Sequence, residues 1–380
     1  MIKNIIIKFI KQFQLLFSFL PIQNNKVLFY PVNGHYYCNL KYIDKYLSNK
    51  NYKLVWVGNN KKRFPDYVIQ CKKNTLYFFY HILTAKIVIF NDGFPSYVLK
   101  RKEQIYIQTW HGGGAYKKID KAYKNIGNKH ILKRINDKLN DIDYLVCSCE
   151  RFNNAFRNDT AISSKVKSLN TGMPRNDIFF DVMSIKGCKN KIKEIYNLEE
   201  QKIVLYAPTF RDTSFNNDLN MECIKKELTK YFNSDVVIFL RCHPHRISDI
   251  FYTVKNKEWI IDVTPYEDMQ ELLCAADVLI TDYSSCMWDF SLTYKPCFIY
   301  ANDLADYKIE RNFHTPITKW PFPIATNNVE MIENIKSFDY KKYVENVKKH
   351  HEELGSYEEG HACERICELI AGICCGKLKE

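Results

Sequence analysis

A chain of 380 residues with 46% hydrophobic and 14% aromatic content has apolar material for two cores of ordinary size, which excludes a disordered or low-complexity protein. Its formal charge of +12 at pH 7 favours anionic partners: lipid headgroups, nucleotide diphosphates or nucleic acid. The lysines are scattered in pairs such as Lys72-Lys73, Lys117-Lys118, Lys225-Lys226 and Lys341-Lys342, with no basic stripe alternating with aromatics, so a dedicated nucleic-acid surface is not expected.

The chain opens on MIKNIIIKFIKQFQLLFSFL. Lys3, Lys8 and Lys11 interrupt it too often for a membrane span, and no small-residue cleavage site follows. At about 100° per residue, Ile2, Ile5, Ile6, Phe9, Phe13, Leu16, Phe17 and Leu20 share one side, while Lys3, Asn4, Lys8, Lys11, Gln14 and Ser18 share the other. The pattern fits a helix lying in an anionic membrane interface, and equally a helix docked by its apolar face onto the protein's own core.

From Val27 to about Cys149 the short apolar runs VLFYP, KLVWVG, AKIVIFND, QIYIQTW and YLVCS alternate with helical stretches, the pattern of a parallel α/β unit. A second series, IVLYAPTF, VVIFLRCHP, EWIIDVTP, DVLITD and CFIYA, starts at Ile203. The interval 181–200 between them is polar and lysine-rich. The expected organisation is an interface helix over 1–20, one α/β domain over 21–185, a second over 186–355, and a closing helical segment over 356–380. Most of the fourteen cysteines lie inside apolar runs such as LVCSC and PCFIY, which points to a reducing cytosol. His361, Cys363, Cys367, Cys374 and Cys375 lack the paired spacing of a metal site, so helix packing is the expected fate of those thiols and no metal is assigned.

The segment ADVLITDYSSCMWDFSLTYKPCFIYANDLADYKIER carries the most chemistry. Val278 to Thr281 reads as a buried strand, Met287, Phe290 and Tyr294 as a helix ending before Pro296, and Cys297 to Tyr300 as the next strand. Ser284 and Ser285 then sit where unpaired backbone N–H groups and the helix dipole suit a pyrophosphate. The alternative is that Asp282 or Ser284 simply caps the helix.

Four further segments follow or close apolar β-like runs: QTWHGGGAYKKID, TGMPRND, LYAPTFRD and LRCHPH. Together with TDYSS, in this order, they resemble the CDP-glycerol glycerophosphotransferases, the primase and polymerase type enzymes of teichoic acid and related capsule synthesis. The resemblance runs from about Lys26 to Ile370 and ends in SYEEGHACERICELI, similar to the family's closing Asp-Gly-x-x-x-x-Arg helix with Glu359 in place of the aspartate. After His-Gly this chain has Gly-Gly-Ala where the commoner family pattern is Thr-Pro-Leu. The resemblance implies a GT-B fold, two facing Rossmann-like domains with the site in the cleft between them, and a final helix near Ala362 to Ile373 crossing back to the first domain. It also implies transfer of glycerol phosphate from CDP-glycerol to a hydroxyl of a lipid-linked or polymer acceptor, with CMP leaving and no cofactor, at the cytoplasmic face of the membrane.

A base and an anion clamp are needed for that reaction. His111 follows the strand Ile105 to Thr109, and a neutral imidazole can take a hydroxyl proton near pH 7, which makes it the expected general base. Gly112 and Gly113 beside it let a substrate approach the backbone closely. His243, in the family's Arg-x-His-Pro pattern with Arg241 and Pro244, and Arg211 of APTFRD are expected to stabilise charge on the phosphoryl group or leaving CMP. Asp282, Ser284, Ser285, Arg241 and Arg311 complete the expected nucleotide and phosphate contacts. Asp143, in an Asp-x-Asp triplet, opens a strand instead of following one and reads as structural. Thr171 to Asn176 reads as a turn or a hinge. Competing readings are a CDP-ribitol ribitolphosphotransferase, a GT-B glycosyltransferase using a UDP-sugar, and a non-catalytic basic protein of the membrane surface.

Overall fold

Apolar runs of four to six residues, rich in Val, Ile, Leu and Phe, form the strands, and their near-continuous hydrophobicity suits parallel strands covered on both faces. The structure is a computed structural model that describes residues 2–17, 19–58, 64–118, 139, 141–160, 162–209, 218–242, 257–310 and 312–377, with side chains of the first helix described from residue 7. The chain divides into two units, one of Met1–His111, Ile119–Asp177 and Tyr357–Glu380, the other of Gly112–Lys118 and Ile178–Ser356.

The first unit contains β1 (Gln23–Tyr30), β2 (Lys53–Val57), β3 (Ile69–Cys71), β4 (Ala85–Phe90), β5 (Ile105–Gln108), β6 (Tyr144–Val146) and β7 (Lys167–Leu169). They pair in the order β3-β2-β1-β4-β5-β6-β7, parallel throughout, with Val27 opposite Leu54 on one side and Ile87 on the other. The second unit contains β8 (Lys202–Ala207), β9 (Val236–Leu240), β10 (Ile260–Asp262), β11 (Val278–Thr281), β12 (Cys297–Tyr300) and β13 (Ile324–Ala325). Their order, β10-β9-β8-β11-β12-β13, is again all parallel. Each sheet is doubly wound and reverses direction beside its first strand, between β1 and β4 and between β8 and β11. A doubly wound sheet binds ligands outside the carboxyl ends of its strands at that reversal.

All ten apolar runs read as strands are strands. The sequence reading lacked β3, β7 and β13, two- or three-residue pieces at or near sheet edges with little apolar signature, IQC, KSL and IA. The helix expected to run through Tyr294 is the six-residue Cys286–Ser291. It stops early because the chain tightens into i→i−3 turns, the Thr293 amide donating to the Phe290 carbonyl and the Tyr294 amide to the Ser291 carbonyl, both at 3.0 Å, and then turns at Tyr294 with φ +55°.

In the first unit the closing helix Ala362–Cys374 is capped by Asp177, whose carboxylate accepts from the amides of Ala362 at 3.0 Å and Cys363 at 2.7 Å. Glu359, at the position of the family aspartate, pairs with Arg365. The helix Ile2–Leu15 is tied down by its polar side. Buried Gln14 donates to the Tyr97 carbonyl at 2.6 Å and accepts from the Leu99 amide at 2.9 Å. The apolar side is turned outward, with Phe9 68%, Leu16 64% and the following Phe19 79% exposed. Docking of the apolar face onto the core is therefore not what the described residues do. Among the described residues no helix is long and apolar enough to cross a membrane.

Candidate active site

At the reversal of the first sheet, the ends of β1 and β4 are joined by the buried Asn91, whose Oδ1 accepts from the Val32 amide at 2.8 Å. The Asn91 carbonyl receives His111 Nδ1 at 2.8 Å. A carbonyl only accepts, so Nδ1 carries the proton and the lone pair of the neutral ring is on Nε2, an assignment made from the hydrogen bond. His111 is exposed and its ring stacks on Trp110, centroids 4.6 Å apart. Trp110 is at φ +53°, and its ring meets Phe156 edge-on at 5.0 Å. The side chain expected to be the base thus stands at the carboxyl ends of the strands with its tautomer fixed by main chain.

The residues that follow His111 belong to the second unit and are held there residue by residue. Ala115 carbonyl accepts from Thr315 Oγ1 at 2.8 Å, Tyr116 carbonyl from the His314 amide at 2.8 Å, and Lys117 bridges Phe313 in antiparallel fashion. Tyr116 also stacks on His350 and shares a 3.1 Å hydrogen bond with it. Burial pushes His350 and His351 down to about 4, so both are neutral in the fold at neutral pH. The close approach that requires glycine at 113 is that of an indole: a Cβ there falls 2.3 Å from Trp288 Cδ1. Gly114, at φ +63°, is likewise against Tyr116 and Trp288. Gly113→Ala is expected to destabilise the fold by about 1–3 kcal/mol, the usual size of overpacking. Adding Trp288→Leu should recover part of that loss, a coupling that chemical denaturation of the two single variants and the double variant measures. Full stability of Gly113→Ala alone would mean that the indole moves aside without cost.

At the reversal of the second sheet, buried Asp282 after β11 accepts from the Thr209 amide at 2.9 Å and from Thr209 Oγ1 after β8. The same carboxylate accepts from the Tyr283 amide at 2.5 Å. Asp282 therefore joins the two strand ends of the crossing point. Ser284 and Ser285 follow it and are half-buried. Ser285 is the N-cap residue but makes no side-chain cap bond, and Ser284 Oγ accepts from the Cys286 amide only at 3.4 Å. A six-residue helix has a weak dipole, so the hydroxyls and amides of the turn carry the anion-binding potential. Arg241, at the end of β9, donates to the carbonyls of Tyr266 at 2.5 Å and Glu267 at 3.5 Å, which fixes the turn after β10. Arg211, His243 and Arg311 lie outside the described residues.

Two other sequence segments prove to be braces in the first unit. Asp143 accepts from Lys100 Nζ at 2.6 Å and the Tyr106 amide at 2.6 Å, joining β5 to β6, which is the structural role expected of it. In TGMPRND, Gly172 at φ +81° lets Glu358 approach. Glu358 then accepts from the Met173 amide at 3.0 Å and Asn176 Nδ2 at 3.0 Å. Sequence reading missed Asn91, Thr209, Trp288 and Glu358. Only the doubled glycine after Gly112 hinted at any of them, by announcing a bulky neighbour.

The sequence pattern of CDP-glycerol:poly(glycerophosphate) glycerophosphotransferases matches residues 12–372. The chain belongs to this family. It is 31% identical to the teichoic acid glycerol-phosphate transferase of Staphylococcus aureus over 97% of this chain and 100% of that one. It is 28% identical to the teichoic acid ribitol-phosphate primase of Bacillus spizizenii over 77% of each chain. The structure of the wall teichoic acid polymerase TagF superposes with a TM-score of 0.85 at 27% identity, over 100% of this chain and 97% of that one, and a variant of the same polymerase has been soaked with CDPG. The fold class is accordingly GT-B, two Rossmann-like α/β units, and the enzyme class is that of the CDP-glycerol glycerophosphotransferases of teichoic acid synthesis.

Proposed function

We propose that this glycerophosphotransferase moves glycerol phosphate from CDP-glycerol to a hydroxyl of a lipid-linked or polymer acceptor at the cytoplasmic surface of a membrane, with His111 as general base. The observation that carries the assignment of the base is the His111 Nδ1 bond to the Asn91 carbonyl, which puts the basic lone pair on Nε2. In the step, Nε2 takes the acceptor hydroxyl proton as that oxygen bonds to the phosphorus bearing glycerol. The bond from that phosphorus to the CMP oxygen breaks, and CMP leaves with the electron pair. Such transfers proceed through a loose transition state, so positioning and charge neutralisation do most of the catalytic work.

The second unit is proposed to hold the nucleotide end of the donor. Ser284 and Ser285 donate to phosphate oxygens at the crossing point that Asp282 and Thr209 define, with Arg241 adding positive field. Arg211, His243 and Arg311 are proposed to meet the charge that develops on the phosphoryl group and on CMP. Gly112, half-buried next to His111, is proposed to let the acceptor approach the backbone, whereas Gly113 serves the packing of Trp288.

Membrane attachment is supported by the first helix, anchored through Gln14 with Phe9, Phe13 and Leu16 outward and Lys8 exposed beside them. The family covers both glycerol and ribitol relatives, so the donor is tested directly. Purified protein is incubated with CDP-glycerol, CDP-ribitol and UDP-sugars, with and without a glycerol phosphate-primed acceptor, and CMP or UDP release is measured. Acceptor-dependent CMP release from CDP-glycerol is expected. Preference for CDP-ribitol would move the polyol, and UDP release alone would overturn the reading.

A further inference from the structure

We propose that Asn39 is a positioning residue for His111 and that it acts by holding Trp110 in the left-handed conformation; the proposal rests on the reading of His111 as the base. A bulky residue at φ +53° is an outlier that costs on the order of 1–3 kcal/mol and persists only where its neighbours over-determine it. Both backbone polar groups of Trp110 are held by buried side chains. Its amide donates to Gln108 Oε1 at 2.8 Å, and Gln108 is itself fixed by a 2.9 Å bond from Nε2 to the Asp92 carbonyl. Its carbonyl accepts from Asn39 Nδ2 at 3.1 Å and from the neighbouring Thr109 Oγ1 at 3.2 Å, and of these two donors the Asn39 amide group also donates to the Thr109 carbonyl, at 3.2 Å, so it ties both carbonyls together.

With the Trp110 amide and carbonyl both fixed, the peptide planes on either side of Trp110 are set, and with them its φ and ψ. That conformation lays the imidazole on the indole and brings Nδ1 to the Asn91 carbonyl. Asn39 is placed in turn by the TGMPRND turn, because its Oδ1 accepts from the Arg175 amide at 3.2 Å and Glu358 braces the same turn. A turn some sixty residues downstream of His111 therefore reaches the base through one carboxamide, although neither the turn nor Asn39 touches the reacting atoms. Asn39 supplies what an unpaired loop lacks: two donors aimed at the two carbonyls that precede the base.

The test is Asn39→Ala in the full chain, read three ways: kcat for glycerol phosphate transfer, CDP-glycerol Kd by calorimetry, and the ring-nitrogen NMR shifts of His111. Loss of both donors should let Trp110 relax toward negative φ. We expect kcat to fall by about 10- to 100-fold, the scale of a misplaced reacting group, with Kd unchanged. The ring should shift from the Nδ1–H tautomer toward the Nε2–H form that imidazole prefers in water. A folded Asn39→Ala protein with unaltered kcat and an unaltered tautomer overturns the proposal. Should Asn39→Ala fail to fold, Gln108→Ala frees the Thr109–Trp110 peptide at its amide, the peptide whose carbonyl Asn39 also holds, and the same three readouts decide. His111→Ala is measured alongside. Full turnover in His111→Ala would refute the base itself, whereas an inactive His111→Ala with an unaffected Asn39→Ala refutes only the positioning role.

Discussion

His111→Ala is expected to lower kcat for transfer by about 10²–10⁴-fold, the usual contribution of a general base, while leaving CDP-glycerol affinity nearly unchanged. The two effects separate because the nucleotide is proposed to bind through Ser284, Ser285 and their neighbours in the second unit, not through the imidazole. Alanine also removes the Nδ1 bond to the Asn91 carbonyl, so a loss of activity alone does not distinguish a missing base from a loosened loop. His111→Asn resolves this. Its Nδ2–H can donate to the same carbonyl, yet a carboxamide cannot accept a proton near neutral pH. Equal loss in the alanine and asparagine variants, with calorimetric affinity intact in both, is the expected result. Recovery of turnover in His111→Asn would assign the residue to loop structure and remove it from the chemistry. Stopped single-turnover measurements show which step is lost, since the deficit should lie in transfer and not in CMP release.

Much of the fold was legible because each parallel strand is buried on both faces and so reads as an unbroken apolar run. VLFY, LVWV, IVIF and VLIT need no long-range information to be recognised. The three-residue IQC and KSL have none of that signature; they are strands because β2 and β6 already offer a paired edge. The place of the candidate residues in the fold was legible for a similar reason, since His111 and Ser284 follow such runs directly and stand at strand ends, where doubly wound sheets bind ligands. What holds the site was not. Asp282 was read as a cap or a phosphate contact, but its partner Thr209 lies 73 residues away, and only the β8-β11 pairing brings them together. Asn39, Gln108 and Asn91 are ordinary amide residues whose meaning comes from two strand ends, those of β4 and β5, and the start of the helix Cys38–Leu47 meeting at one loop. The left-handed Trp110 has no sequence mark, because tryptophan is the opposite of what that backbone region favours. The first helix shows the limit of periodicity from the other side: the pattern correctly sorted apolar from polar residues, but which side faces the protein was decided by Gln14, a polar side chain with two backbone partners in the Tyr97–Leu99 turn.

That inverted docking makes the attachment of the enzyme to membranes testable without disturbing its chemistry. Deleting residues 1–20 should release the protein from anionic vesicles, and binding of the intact chain should weaken as salt is raised, because Lys8 and its neighbours meet headgroup charge. Deletion also removes the Leu20 carbonyl that Arg101 holds at 2.6 Å and both Gln14 bonds, so a second variant is needed that leaves the anchor in place. Phe9→Ser with Leu16→Ser serves, since both side chains point away from the protein and neither contributes to its core. Each such side chain, moved from water into the acyl boundary, contributes about 1.5–3 kcal/mol. Losing two should therefore weaken vesicle binding on the order of a hundredfold or more, with no change in thermal stability. Turnover on a short soluble acceptor should be retained in both variants, and turnover on a membrane-embedded acceptor should fall in both. Equal loss on the two acceptors, or a melting temperature lowered by the serine pair, would show that the outward face is needed for the fold and that the membrane is met elsewhere on the protein.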